Sequence, residues 1–292
     1  MAAELVEAGA GPRRRGSIVD AWALLAVPGL LFLALFFLLP LFRMGMRSVT
    51  DPDPSNYKVF VQSSLYLKVL WTTIRTSLIV SAGCLLLGYP YAYVMHHASK
   101  RAQTVLAALV LIPFWSSLLV RTYAWTVLLQ DSGVINSLLT RIGLIDEPLE
   151  LMRNTLGVTI GMTHILLPFM VLPVFATMRR IDPDLVPAAE GLGARPSMAF
   201  RRVFLPLSLP GVFAGTLLVF VLALGFYITP ALLGSPQNAM FSELVVNMVS
   251  QRLQFGIGSA LAVTLLAVTL VLLGIGSRFV RIPEALGYQE ER

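Results

Sequence analysis

Six stretches of this chain are each long and apolar enough to cross a bilayer as a helix, and that repetition restricts the fold more than any other feature. A helix needs about 20 apolar residues to span the hydrocarbon core. The blocks run approximately from Ala21 to Phe42, Thr76 to Met95, Val105 to Leu129, Leu156 to Met178, Leu207 to Leu233 and Ala260 to Phe279. Composition closes off the soluble alternatives. Charged residues make up 13% of the 292 positions, against about 25% in a soluble domain, so there is too little charge to coat a water-facing surface. Soluble enzyme, disordered tail and secreted disulfide scaffold all fit poorly. The expectation is an all-α membrane protein of six transmembrane helices.

The basic residues set an orientation, because cytoplasmic loops carry an excess of Lys and Arg. With the N-terminus inside, thirteen fall on the cytoplasmic side: Arg13 to Arg15, Lys100, Arg101, Arg179, Arg180, Arg195, Arg201, Arg202, Arg278, Arg281 and Arg292. Seven fall outside: Arg43, Arg47, Lys58, Lys68, Arg141, Arg153 and Arg252. Both termini are therefore expected in the cytoplasm. This divides the chain into a tail at 1–20, a first span at 21–42, a periplasmic segment at 43–75, a five-helix core at 76–281 with a cytoplasmic loop at 179–206, and a tail at 282–292. Arg13 to Arg15 ahead of the first block resemble the start of a signal peptide. The apolar stretch is too long, however, and no small-residue cleavage site follows, so a retained span is expected. A net charge of +6 raises nucleic acid as a partner. The basic residues are spread between apolar blocks instead of forming a stripe, and topology explains them better.

The outer segments differ in character. Asp51-Pro52-Asp53-Pro54 predicts a turn, and Tyr57, Phe60, Val61, Leu65 and Leu67 predict a short amphipathic helix along the interface. The 130–154 loop carries Asp131, Asp146, Glu147 and Glu150 against Arg141 and Arg153; this is either an acidic mouth that favours cations or an ordinary solvated loop. The pairs Gly157/Gly161 and Gly211/Gly215 predict close helix approach and say nothing of function. One cysteine, Cys84, and three histidines, His96, His97 and His164, leave no disulfide framework and no multi-ligand metal site. His164, alone in an apolar block, is expected to be packed or hydrogen-bonded.

The most informative stretch is the loop between blocks four and five. Asp184 is a good N-cap, and Pro187 falls in the first turn, where its missing N–H costs nothing. Gly191 and Gly193 end that helix, and the chain restarts near Arg195-Pro196. Two small-residue helices joined by glycine make a knuckle that projects from the membrane, with Ala188, Ala189, Leu192 and Ala194 free to enter a groove on another protein. An ordinary connector would account for the arginines but not for the Ala/Gly spacing.

In this loop the chain resembles the permease subunits of binding-protein-dependent ABC importers, whose signature is E-A-A-x3-G-x9-I-x-L-P. The pattern falls on Pro187, Ala188, Ala189, Gly193, Val203, Leu205 and Pro206. Pro187 stands where the family has a Glu that helps hold the ATPase, and Glu190, about one turn on, is placed to substitute. Gly88-Tyr89-Pro90-Tyr91-Ala92-Tyr93, Ile112-Pro113-Phe114-Trp115, Arg121-Thr122-Tyr123, Leu166-Leu167-Pro168-Phe169-Met170 and Gly225-Phe226-Tyr227 with Pro230 extend the likeness to the spermidine/putrescine-type subgroup. The resemblance implies a type I ABC importer permease (MetI-like) fold. It also implies two ATPase subunits, a second and related permease subunit, and a periplasmic solute-binding protein. The 187–194 knuckle with Leu205 and Pro206 would couple ATP closure to the spans.

Two absences agree with that division of labour. No G-x-x-x-x-G-K-[ST] phosphate loop occurs, so no cofactor is expected on this chain, and ATP and Mg belong to the partner ATPase. No Asp or Glu sits clearly inside a block, which weakens an ion-coupled carrier acting without ATPase. Neither H-E-x-x-H nor G-x-S-x-G occurs, so the chain is not expected to be an enzyme. Trp115, Ser116, Arg121, Tyr123 and Tyr227 are the candidate translocation-path residues, through cation–π and hydrogen-bond contacts. Polyamines such as spermidine and putrescine are the expected solutes. Opines, γ-aminobutyrate and amino-acid derivatives are the alternatives, and a membrane scaffold without transport is a more distant one.

Overall fold

The computed structural model describes residues 18–51 and 55–280, with side chains at 25–51 and 55–278. The basic residues Arg13 to Arg15, Arg281 and Arg292, the 282–292 tail, most of the 1–20 tail and the centre of the expected turn at 52–54 lie outside the described residues.

The helices follow in chain order as α1 (Ile18–Leu33), α2 (Leu39–Thr50), α3 (Asn56–Gln62), α4 (Ser64–His97), α5 (Lys100–Leu111), α6 (Leu118–Leu129), α7 (Val134–Arg141) and α8 (Thr155–Met178). After these come α9 (Leu185–Gly191), α10 (Pro196–Ala199), α11 (Leu205–Leu224), α12 (Ile228–Leu233), α13 (Phe241–Val246) and α14 (Phe255–Val280). The described residues contain no strand. Five helical runs are long and apolar enough to cross a bilayer, and a sixth block does so only as a bent pair.

The spans differ from six straight rods in ways that proline explains. A π turn at Ala34–Leu38 joins α1 to α2, and a second at Phe200–Phe204 joins α10 to α11. In each case a proline follows within two residues, Pro40 or Pro206. Its ring would clash with the carbonyl four residues back, and a locally wider register relieves that clash without ending the helix. The first span therefore runs on to Thr50, carrying Arg43 and Arg47, which were expected in a loop. Likewise α4 begins at Ser64, so Leu65, Leu67 and Lys68 belong to the second span, and only α3 remains as a short helix of the outer segment.

The core is built from α4, α8 and α11. Met95, Met162, Met170, Met178, Val80 and Val219 are fully buried among them. Membrane helices gain little from apolar burial against lipid, so close packing has to supply the association energy. Glycine provides the approach. A Cβ at Gly211 would come within 2.6–2.9 Å of Thr177 and the Pro173 carbonyl, and one at Gly215 within 2.9 Å of the Met170 sulfur. Gly161 does the same against α12, at 2.6 Å from Leu233 and 2.9 Å from Thr229.

The first span stands outside this core. Its residues from Leu25 onward are exposed apart from a few near its end, where Ser48 is buried, and it packs chiefly on α14. The contact is fixed at the α2 end, where the Asn56 amide donates to the carbonyls of Ser48 (3.0 Å) and Asp51 (2.8 Å). The Arg47 guanidinium lies over the Phe255 ring at 5.8 Å.

Gly211→Val should overpack the α8–α11 contact and cost about 1–3 kcal/mol, read as a lower unfolding midpoint of the purified protein. Gly29→Val, at a position with nothing within 4 Å of a new Cβ, should leave that midpoint within about 0.5 kcal/mol of the parent. Equal effects would refute the packing role.

Candidate functional site

Two regions carry the residues singled out in the sequence. The first is the 179–206 connection. The segment α9 ends in a Schellman motif, in which the Gly193 N–H donates to Glu190 O (2.9 Å) and the Ala194 N–H to Ala189 O (3.1 Å). This closure needs a left-handed residue, and Gly193 takes φ +92°. At the other end Asp184 occupies the N-cap position without a side-chain bond. Its own N–H donates to the Asp182 carboxylate at 2.9 Å, so the acid expected to cap the helix is not the one that organises the turn. Pro187 sits at the third helical position, where its missing N–H would have been unpaired anyway.

None of the α9 residues is buried. Pro187, Ala188, Glu190 and Gly193 are exposed, Leu192 is 91% exposed, and Ala189 and Ala194 turn partly toward their own chain. Leu205 and Pro206 lie farther along, at the start of α11. Behind the knuckle is a cleft of about 370 Å³ lined by Tyr93, His96, Pro187, Glu190, Phe200 and Phe204. Tyr93 meets Phe200 and Phe204 edge-on at 5.5 and 5.3 Å. These ring contacts brace the end of α4 against the π turn that follows α10.

The second region is formed by two interrupted spans. Block three breaks at Trp115–Leu118 with a 100° bend between its halves. Ser116 caps the break by donating from Oγ to Pro113 O at 2.8 Å. Block five stops at Leu224 and resumes as α12 after Gly225-Phe226-Tyr227. The halves α6 and α12 then meet side by side, with the Thr122 and Thr229 hydroxyls 3.1 Å apart and both residues fully buried. One turn beyond Arg121, the Trp125 indole N–H donates to Nδ1 of His164 at 3.1 Å. His164 is thus hydrogen-bonded, and by accepting at Nδ1 it carries its proton on Nε2 when neutral.

The expected path residues are not gathered into one cluster. Trp115 is 84% and Tyr123 66% exposed, and no hydrogen bond or ring contact joins either of them to Tyr227. Tyr227 lies at the break itself, as the N-cap of α12. Arg121 forms no ion pair with the outer-loop acids or any other described residue, and its Nε is buried without a partner. The residues that do pair across the breaks, Thr122, Thr229 and Trp125, were not among those chosen from sequence. Nothing in their spacing marks them, since they are brought together from sequence separations of 39 and 107 residues.

Glu243 was also missed. It lies in α13, in the connection between blocks five and six, where burial raises its carboxyl above the ordinary value and a hydrogen bond with the Met240 backbone partly offsets the rise. The start of α13 is held on α4 by the Phe241 N–H donating to Thr73 Oγ1 at 2.8 Å.

A helical bundle whose third and fifth spans are both broken, with an exposed two-helix elbow at the foot of its core, has the architecture of an ABC importer permease. A permease-sized chain of a bacterial alginate ABC transporter, solved with an alginate pentasaccharide-bound periplasmic protein, superposes with a TM-score of 0.71 at 20% identity, covering 90% of this chain and 96% of that one. A chain of the MetNI methionine ABC transporter in an inward-facing conformation superposes at 0.56 and 16%, covering 75% and 98%. The chain belongs to the family of binding-protein-dependent transport system inner membrane components, whose sequence pattern matches residues 10–281. Among its relatives are the spermidine/putrescine transport system permease proteins PotB of Haemophilus influenzae, 32% identical over 87% of this chain and 90% of that protein, and of Escherichia coli K12, 33% identical over 80% and 88%.

The raised Glu243 carboxyl makes a pH-dependent prediction. The folded state holds this proton to higher pH than the unfolded chain does, so stability falls as pH rises from the ordinary glutamate range toward the folded value. Glu243→Gln should therefore raise the unfolding midpoint at neutral pH and leave it unchanged near pH 4. A shift of the same size at both pH values would remove burial of the charge as its cause.

Proposed function

We propose that this chain is one of two permease subunits of an ATP-driven importer for polyamines or closely related small amines. The observation that carries this reading is the exposed, glycine-capped elbow at 185–199 on a permease fold, in a chain that shares about a third of its residues with spermidine/putrescine permeases over most of its length. Two ATPase subunits bind nucleotide and Mg on the cytoplasmic side, where both termini of this chain also lie. A periplasmic binding protein delivers the solute to the opposite face.

In this scheme Ala188, Ala189, Glu190, Gly193 and Ala194 enter a groove on the ATPase, with Pro187 in place of an acidic contact and Glu190 supplying a carboxylate three residues on. The small side chains allow close approach, and the Schellman closure keeps the elbow rigid enough to transmit displacement. Leu205 and Pro206 pass that displacement into α11. At the far end the breaks beside Ser116 and Tyr227 form the moving part of the path. Interrupted helices there let backbone and side-chain polar groups face a solute without exposing them to lipid. Trp115 and Tyr227 offer ring faces to an ammonium group.

Ala189→Asp and Gly193→Pro should leave the protein inserted in the membrane. In proteoliposomes containing the complete importer, stimulation of ATP hydrolysis by loaded binding protein should fall by roughly 5–150-fold, the range of a typical coupling energy. Stimulation equal to that of the parent in both variants would refute the coupling role. The same proteoliposomes should concentrate labelled putrescine or spermidine only with ATP and the binding protein present. Concentrative uptake by the isolated chain under an ion gradient would refute ATP-driven transport.

A further inference from the structure

Among the described residues Arg121 is the only cation with a buried side-chain nitrogen that has no hydrogen-bond partner. Its Nε is shielded from solvent and has no hydrogen-bond partner, and no described carboxylate pairs with it. The helices α4, α5, α6, α8, α11 and α14 contain no Asp or Glu at all. An unpaired arginine in the hydrocarbon region is expensive, and such residues pair with another group in the assembled protein.

The sources of a counter-charge can be separated by position. Trp125, one turn on from Arg121, is bonded to His164. His164 is the tenth residue of the 24-residue α8, about 14 Å along it at 1.5 Å per residue. That depth is close to the middle of the span, far from lipid phosphates at either end. A transported amine carries the same sign of charge as Arg121 and cannot neutralise it.

The faces of α6 indicate the remaining direction. Thr122 and Leu129 are buried against the chain's own helices, whereas Leu119, Val120 and Tyr123 form an exposed stripe. Arg121 is half-buried at the edge of that stripe. We propose that this face of α6 is the contact with the second permease subunit, and that Arg121 pairs there with a carboxylate carried by a span of that subunit. The inference rests on the amine-importer, two-permease reading above, in which the second permease is a related but different chain. A second copy of this one has no acidic residue in its core spans to offer.

The test uses the complete transporter, co-expressed and purified in lipid nanodiscs. Arg121→Cys on a Cys84→Ala background is combined with cysteine at each Asp and Glu position in the spans of the other permease. Disulfide formation is expected at one such position. Arg121→Met should lower recovery of the second permease on the tagged chain by roughly tenfold or more, Arg121→Lys much less. Reversing the pair, with Arg121→Asp here and arginine at the identified carboxylate, should restore recovery lost in each single variant; this rescue separates pairing from misfolding.

The proposal is overturned by absence of any such cross-link in a transporter that contains two different permeases. It is also overturned if Arg121→Met keeps the second permease bound and loses only putrescine uptake, which would place Arg121 in the solute path. A transporter whose two permeases are both this chain overturns it together with the heterodimer expectation, while putrescine uptake in the same preparation still tests the amine reading separately.

Discussion

Inside a bilayer every backbone N–H and C=O must find its partner within the protein, and the architecture follows from the few places where this chain departs from continuous helix. The interruption at Trp115–Leu118 is closed by Ser116 bonding back to Pro113. The one at Gly225–Tyr227 lies against the neighbouring half-span through the Thr122–Thr229 hydroxyl pair. The break residues Trp115, Ser116, Gly225 and Tyr227 are nevertheless exposed on this chain, while the half-spans beside them pair through buried hydroxyls. Elsewhere Pro40 and Pro206 follow π turns, and Pro90, Pro168, Pro173 and Pro210 are carried inside continuous α-helix.

Much of this was legible in the sequence because the bilayer imposes a length that composition reveals directly. The six apolar blocks, the glycines at 161, 211 and 215 that meet neighbouring helices and the Ala/Gly elbow are local patterns, each contained within a few turns. Gly157, by contrast, abuts the loop at Leu151 and not a helix. The glycine at 193 is the clearest case: its position after Leu192 requires a left-handed residue, and the structure has one there with φ +92°. What the sequence left hidden is non-local. The Thr122–Thr229 and Trp125–His164 contacts join separate spans, and no periodicity connects them. Glu243 was missed for a related reason, since its burial comes from packing of a six-residue helix that hydropathy does not distinguish from a loop.

The departures are also informative about how helices end. Asp184 stands where an N-cap is expected, yet Asp182 two residues earlier makes the bond, because the turn preceding α9 brings the Asp184 N–H onto the Asp182 side chain. The basic residues Arg43 and Arg47 prolong the first span instead of terminating it. Arg47 finds an aromatic face on α14, and a stem of three methylenes lets an arginine reach such a partner from within a helix.

The elbow is tied to the break in the fifth span by helix alone. Because the π turn at Phe200–Phe204 bridges α10 and α11, helix runs without interruption from Pro196 to Leu224, a length of about 43 Å at 1.5 Å per residue. Its lower end abuts the elbow and its upper end is the rim of the gap at Gly225. Any tilt of that rod moves both of its ends together, so the exposed elbow and the break at Gly225 belong to one mechanical element.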